Sequence, residues 1–208
     1  MKIITLTLSL LMLSTLSFAQ DKSNELLDKL SKEMKALNSF YVEFEMKTKN
    51  SSTGQNDADK GSGFVKENKF FATLGSNTIL SNGLKIWTIS NDDQVTYEAD
   101  SDEDDEESIN PKKLMTIWEN GFKSKYIGEK DGKHQINLFP TNPGEVEFHT
   151  ITLYLNSSDN GLYRAIMKTK DGTQMTYTIN KFTKNARVSD SKFVYNPAQY
   201  PGYELVKD

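Results

Sequence analysis

Three dipeptides of the kind that close tight β-hairpins, Asn82-Gly83, Asp131-Gly132 and Asp171-Gly172, stand between short segments in which apolar and polar residues alternate. Asn-Gly and Asp-Gly supply the positive φ that a two-residue hairpin turn needs, and alternation with a period of two is the mark of a strand with one wet face. Phe40, Val42, Phe44 and Met46 alternate in this way with Tyr41, Glu43, Glu45 and Lys47. A polar loop is expected from Asn50 to Asp59. Further strands are expected near Gly61–Lys66, Lys69–Leu74, Asn77–Ser81, Leu84–Ser90, Gln94–Ala99, Lys123–Lys130, Lys133–Pro140, Thr150–Asn156, Leu162–Lys170 and Thr173–Phe182. A meander of about ten or eleven strands must curl, close or stack to hide its apolar face. The spacing therefore predicts a mainly β (α+β) chain built as an incomplete antiparallel β-barrel.

Two segments change the period. Ser23 can cap a helix running to about Asn38, with Leu26, Leu27, Leu30, Met34 and Leu37 on one stripe. A second helix is expected from Asn110 as cap and Pro111 at its first position to Gly121 as its stop, carrying Leu114, Met115, Ile117 and Trp118. These short helices are available to close the barrel as a lid. Between them and the preceding strands, Asp100 to Glu107 is almost wholly acidic and reads as a solvated run.

The first residues set the compartment. Lys2 precedes an apolar run from Ile3 to Leu16, and Ser17-Phe18-Ala19 offers small residues where a signal peptidase cuts. Residues 1–19 are expected to be a cleaved signal peptide and 20–208 a single domain, exported to a periplasm. The run is too short to span ~30 Å of hydrocarbon comfortably. The chain contains no cysteine, which excludes disulfides, thiolate metal sites and a lipid-modified cysteine at the cleavage point. With 25 basic against 29 acidic residues the net charge is −4, which disfavours nucleic acid as a partner.

Catalytic chemistry finds few candidates. The two histidines are His134, on the parity of Ile136 and Leu138, and His149, beside Glu145 and Glu147. Neither completes a nucleophile–base pair or a metal ligand set. Asp100, Asp102 and Asp104 imitate a calcium loop, but Asp105 stands where glycine is required and Pro111 where glutamate is. Gly61-Ser62-Gly63 opens a strand and not a helix, so it is no phosphate loop. No enzyme, no metal and no cofactor are expected. What the residues do offer is many large apolar side chains on a curved sheet, which suggests an apolar cavity as one reading and an ordinary core as the other.

Four segments carry a resemblance: LSKEMKALNSFYVEF (Leu30 to Phe44), GSGFVKENKFF (Gly61 to Phe71), SNGLKIWTISNDDQVTY (Ser81 to Tyr97) and NPKKLMTIWENGFKSKYIG (Asn110 to Gly128). In order and spacing, over essentially the whole mature chain, they resemble the periplasmic outer-membrane lipoprotein carrier family (LolA-like). The resemblance implies an incomplete barrel with a helical lid whose cavity holds lipoprotein acyl chains. It further implies transport from the inner to the outer membrane, with loading by an inner-membrane ABC-type lipoprotein release complex and delivery to an outer-membrane acceptor. The protein is expected to act as a monomer. The alternative is a periplasmic regulatory module of related fold that senses lipid or lipoprotein. Met34, Phe40 and Phe71 match family cavity positions, while Phe44, Phe64, Leu74, Leu114, Met115 and Trp118 are added from their expected inward faces. The family strand motif Lys-Arg-Pro-x-x-Phe is met here by Lys66 and Phe71. Glu67 replaces the arginine associated with holding the lid, so a lid contact at Glu67 would need a different partner.

Overall fold

The computed structural model describes residues 22–101 and 116–207. The expected signal peptide, the start of the expected second helix with Leu114 and Met115, and most of the acidic run lie outside the described residues. Helix α1 spans 22–35. Twelve strands follow: β1 (Ser39–Asn50), β2 (Gln55–Lys66), β3 (Lys69–Leu74), β4 (Asn77–Ser81), β5 (Lys85–Ser90), β6 (Val95–Asp100), β7 (Phe122–Lys130), β8 (Lys133–Pro140), β9 (Phe148–Asn156), β10 (Leu162–Thr169), β11 (Thr173–Lys184) and β12 (Glu204–Lys207). Their order in the sheet is β12-β6-β5-β4-β3-β2-β1-β11-β10-β9-β8-β7, which leaves β12 and β7 as open ends. The chain is mainly β with an unclosed sheet, the topology of an incomplete barrel.

One strand, β12, is additional to those expected, and β2 is longer than expected, both for local reasons. β2 begins at Gln55, so the polar stretch after Asn50 is a short turn and not a loop. Its first residues, Gln55 to Asp57, are exposed and carry no apolar alternation to announce a strand. β12 lies parallel to β6, with Leu205 opposite Thr96, and no hairpin precedes it. Of the three turn dipeptides only Asp131-Gly132 makes the two-residue turn expected; Asp171-Gly172 sits in a connection one residue longer, between Thr169 and Thr173, with positive φ at Gly172 alone. Asp131 and Gly132 have φ of 51° and 68° and join Lys130 to Lys133 directly, the conformation that the right-handed strand twist favours. At Asn82 the loop is one residue longer, and the Asn82 Oδ1 accepts hydrogen bonds from the Leu84 and Lys85 amides.

The described residues group into two compact units, with β1 and β11 contributing to both. The first contains residues 22–33, 48–55 and 118–176. Its sheet face carries Ile136, Leu138, Ile151, Leu153 and Leu155, all 4% exposed or less. Residues paired directly across β8 and β9 share that face, as Ile136 does with Leu153 and Leu138 with Ile151. Helix α1 supplies the apolar cover through Leu26, Leu27 and Leu30. Burying three such side chains contributes about 1.5–3 kcal/mol each. Ser23 is not the cap expected of it. It lies inside the helix, fully buried, with its hydroxyl 2.8 Å from that of Ser124 on β7. Asn160, in the β9–β10 turn, donates from Nδ2 to the Leu26 carbonyl at 2.9 Å.

The second unit contains residues 34–47, 56–101, 116–117 and 177–207 among those described. It holds β2 to β6, the adjoining part of β1, the end of β11 and the C-terminal segment, and it presents two faces of different character.

Candidate functional site

Direct pairing assigns each side chain of the second unit to a face. Gly61 opposes Leu74, Gly63 opposes Ala72 and Val65 opposes Phe70. Ala72 opposes Ile79 and Phe70 opposes Ser81 on β4, and Ser81 opposes Ile86 on β5. Side chains opposite one another point to the same side of a sheet, so these residues line one face. Phe44 joins them, because a Cβ added to Gly61 would stand inside the Phe44 ring. By the period of two, Phe40, Val42 and Met46 of β1 follow Phe44.

This face is apolar, and part of it remains open. Phe40, Val65 and Phe70 are buried, while Val42, Phe44, Met46, Ala72, Leu74, Ile79 and Ile86 are only partly covered. Partly exposed apolar side chains on four strands of one face, β1, β3, β4 and β5, are the material of a binding surface, since isolated ones are common and a patch is not. Gly61 and Gly63, in the middle of this face, are buried, Gly61 beneath the Phe44 ring.

The other face carries Phe64, Phe71, Leu80, Trp87 and Glu98, each paired with the next across β2 to β6. It is clasped by the C-terminal segment. Tyr195 stacks on Trp87 with ring centroids 6.1 Å apart, Tyr200 on Tyr195 at 5.7 Å, and Tyr203 meets Tyr200 at 5.5 Å. The Lys192 ammonium sits 3.6 Å over the Phe71 ring centroid. Asp190 binds both Lys66 and Lys69, at 2.6 and 3.1 Å. Hydrogen bonds from those two lysines hold the Asp190 carboxyl below its ordinary value. Glu98 receives Lys85 and the Trp87 indole N–H, which lower its pKa in that order.

The sequence-selected cavity residues therefore divide. Phe44 and Leu74 share the partly open face, and Phe40 lies on it, stacked on Phe182 at 5.3 Å. Met34 is buried at the end of α1. Phe64 and Phe71 point to the clasped face, where Phe64 meets Tyr41 with centroids 4.5 Å apart. Trp118 belongs to the first unit, where it is 6% exposed and its indole bonds Ser31. Glu67 occupies the β2–β3 turn with φ 56°; its side chain is exposed and its backbone N–H donates to the Asn38 carbonyl at 3.2 Å. Sequence reasoning missed Val42, Met46, Ala72, Ile79 and Ile86. For the first two the alternation of β1 was the available signal.

Two clefts are present among the described residues, and the first of them shares Phe44 and Gly61 with the apolar face. One of about 390 Å³ in the second unit is bordered by Tyr41, Glu43, Phe44, Lys60, Gly61, Ser62, Thr73 and Asn180. The other, about 340 Å³ in the first unit, is bordered by Asn24, Leu27, Asp28, Trp118, Glu119, Phe122 and Ser124. Both mix polar and apolar side chains. His134 Nδ1 lies 3.1 Å from the Tyr126 hydroxyl, and His149 Nδ1 lies 2.8 Å from the Thr150 hydroxyl. Among the described residues no three His, Asp or Glu side chains are grouped as a metal site would require. Among them, too, no helix is long and apolar enough to cross a membrane.

No family model matches the chain, and no curated protein matches it. Solved structures do. An uncharacterized conserved protein from Thermus thermophilus is similar over 90% of this chain and 99% of its own, at 10% identity and a TM-score of 0.59. A LolA superfamily protein from Nitrosomonas europaea is similar over 83% of this chain and 97% of its own, at 14% identity and a TM-score of 0.44. LprF from Mycobacterium bovis is similar over 85% and 97%, at 15% identity and a TM-score of 0.47. The Thermus likeness is one of fold, and it extends over nearly the whole of both chains.

Proposed function

We propose that the mature chain is a periplasmic carrier that shelters the acyl chains of lipoproteins on the apolar face of its second unit and moves them from the inner to the outer membrane. The observation that supports this is the partly open surface of Val42, Phe44, Met46, Leu74, Ile79 and Ile86. The physical need is plain. A buried methylene is worth about 0.8 kcal/mol, so a ~16-carbon chain exposed to water costs on the order of 12 kcal/mol. The sequence resemblance to lipoprotein carriers gives the cargo class. In this reading an inner-membrane ABC-type complex loads the protein and an outer-membrane acceptor takes the cargo. Release comes by transfer to a second apolar surface, and no cofactor takes part.

Native mass spectrometry of the protein recovered from the cell envelope tests the proposal. Mass increments that match acylated protein or phospholipid are expected. An unloaded protein that also fails to bind a fluorescent acyl probe would overturn it.

A further inference from the structure

The chain holds three Asn-Gly dipeptides, at 82–83, 120–121 and 160–161. Such a pair is the most reactive setting for a side-chain amide, because glycine carries no side chain to keep its backbone nitrogen from the asparagine carbon. Reaction needs that N–H free of hydrogen bonding and a side-chain amide able to turn toward it. The fold treats the three pairs differently.

At Asn82 both groups are engaged. Its Oδ1 accepts from the Leu84 and Lys85 amides at 2.9 and 2.8 Å, and the Gly83 N–H donates to the Ser81 hydroxyl at 3.1 Å. At Asn160 they are held more firmly. That residue is 3% exposed, its Nδ2 donates to the Leu26 carbonyl at 2.9 Å, and the Gly161 N–H donates to Asp159 Oδ1 at 2.9 Å. Asn120 is exposed, in the bend between the 3-10 turn Ile117–Glu119 and β7. Among the described residues neither its side-chain amide nor the Gly121 N–H has a hydrogen-bond partner. What is held is the Gly121 carbonyl, which accepts from the Thr141 N–H at 2.8 Å and its hydroxyl at 3.1 Å. Beyond the chain neighbours, no described atom lies within 4 Å of the position a Gly121 Cβ would take.

We infer that Asn120-Gly121 is the site at which the folded protein deamidates, and that the fold shields Asn82 and Asn160. The Gly121 nitrogen, its proton lost to a base in the solvent, forms a bond to Asn120 Cγ. The Cγ–Nδ2 bond breaks, and ammonia leaves with a proton taken from water. One water then opens the succinimide at either carbonyl, giving aspartate or isoaspartate at 120. The sum is amide plus water to carboxylate plus ammonium. Either product puts a second carboxylate beside Glu119, at the border of the cleft that Trp118 and Phe122 also line. Isoaspartate also lengthens the backbone ahead of β7 by one methylene.

The folded protein, aged in mildly alkaline buffer and mapped by trypsin and tandem mass spectrometry, provides the test, with unaged protein as background. Position 120 should convert at least ~10-fold faster than 82 or 160, where reaction waits for the turn to open. In urea all three turns are released, and the three rates should converge. Conversion at 82 or 160 as fast as at 120 in the folded protein overturns the inference. So does a preference for 120 that persists in urea, since local sequence and not the fold would then choose the site. Asn120→Gln removes the fast reaction, because glutamine has to close a larger ring. That variant, shown to be folded by far-UV circular dichroism, should release ammonia only at the slow rate of the shielded sites. Ammonia release at the parental rate overturns the inference as well.

Discussion

The indole of Trp118 donates a hydrogen bond to the hydroxyl of Ser31 at 2.8 Å, and both residues are 6% exposed. The bond ties Trp118, of the short 3-10 turn Ile117–Glu119, to Ser31 of helix α1, and both bonded residues belong to the first unit. Ser31→Ala would leave a buried indole N–H without its partner, which costs about 1–3 kcal/mol. Trp118→Phe removes donor and ring bulk together, and the double variant should lose less than the sum of the two because the bond is shared. Urea unfolding followed by circular dichroism reads all three. Strict additivity would mean that the bond contributes nothing.

Glu67 sits in the left-handed region with φ 56°, a conformation that a non-glycine residue adopts at a cost. Glu67→Gly should therefore stabilise the protein by about 0.5–1 kcal/mol, after allowing for the entropy glycine adds to the unfolded chain. Affinity for an acyl probe should stay the same, because the Glu67 side chain is exposed at the turn. A loss of affinity in this variant would show that position 67 takes part in holding cargo after all.

The C-terminal clasp should loosen in acid. Lys66 and Lys69 lower the Asp190 pKa below the ordinary 3.8, and Asp190 in turn raises Lys66. A carboxyl whose folded pKa is depressed contributes stability that is fully present above 3.8 and is lost as pH falls through the lower folded value. The ion pairs are partly solvated, so the effect is modest and diminishes with salt. Melting temperatures measured from neutral pH down to pH ~3 should fall more for the parent than for Asp190→Asn. Parallel curves would exclude the clasp as a contributor.

Much of this fold could be read in the chain because its hairpins announce themselves. Asn82-Gly83, Asp131-Gly132 and Asp171-Gly172 each join the strands expected of them. β12 was hidden because Glu204 to Lys207 is short and pairs in parallel with β6, which no turn signal predicts. Ser23 was misread because a serine near a helix start looks alike whether it caps the helix or points at Ser124. The assignment of faces was the harder matter. Phe64 and Val65 are consecutive, and so are Phe70 and Phe71. A strand with apolar residues on both sides has no wet face to fix its orientation. Only the pairing to Leu80 and Trp87, and the segment from Asp190 to Tyr203 that packs there, reveals which side is clasped.

That division separates two variants that the sequence would treat alike. Ile79 is partly exposed on the face shared with Phe44 and Leu74, opposite Ala72, whereas Phe71 lies under Lys192 on the other side. Ile79→Glu places a carboxylate among apolar side chains where an alkyl chain would lie. Each methylene kept from contact forfeits about 0.8 kcal/mol, so acyl-probe binding should weaken by at least ~10-fold. Phe71→Glu puts its carboxylate within reach of Lys192 and the neighbouring Lys69, so the new charge finds partners on that face. It should cost stability through lost packing while acyl-probe affinity in the folded protein stays within about twofold of the parent. Titrating both variants with N-phenylnaphthylamine below their melting temperatures decides the matter. If Phe71→Glu abolishes binding and Ile79→Glu spares it, cargo rides on the clasped face, and the C-terminal segment must then move to admit it.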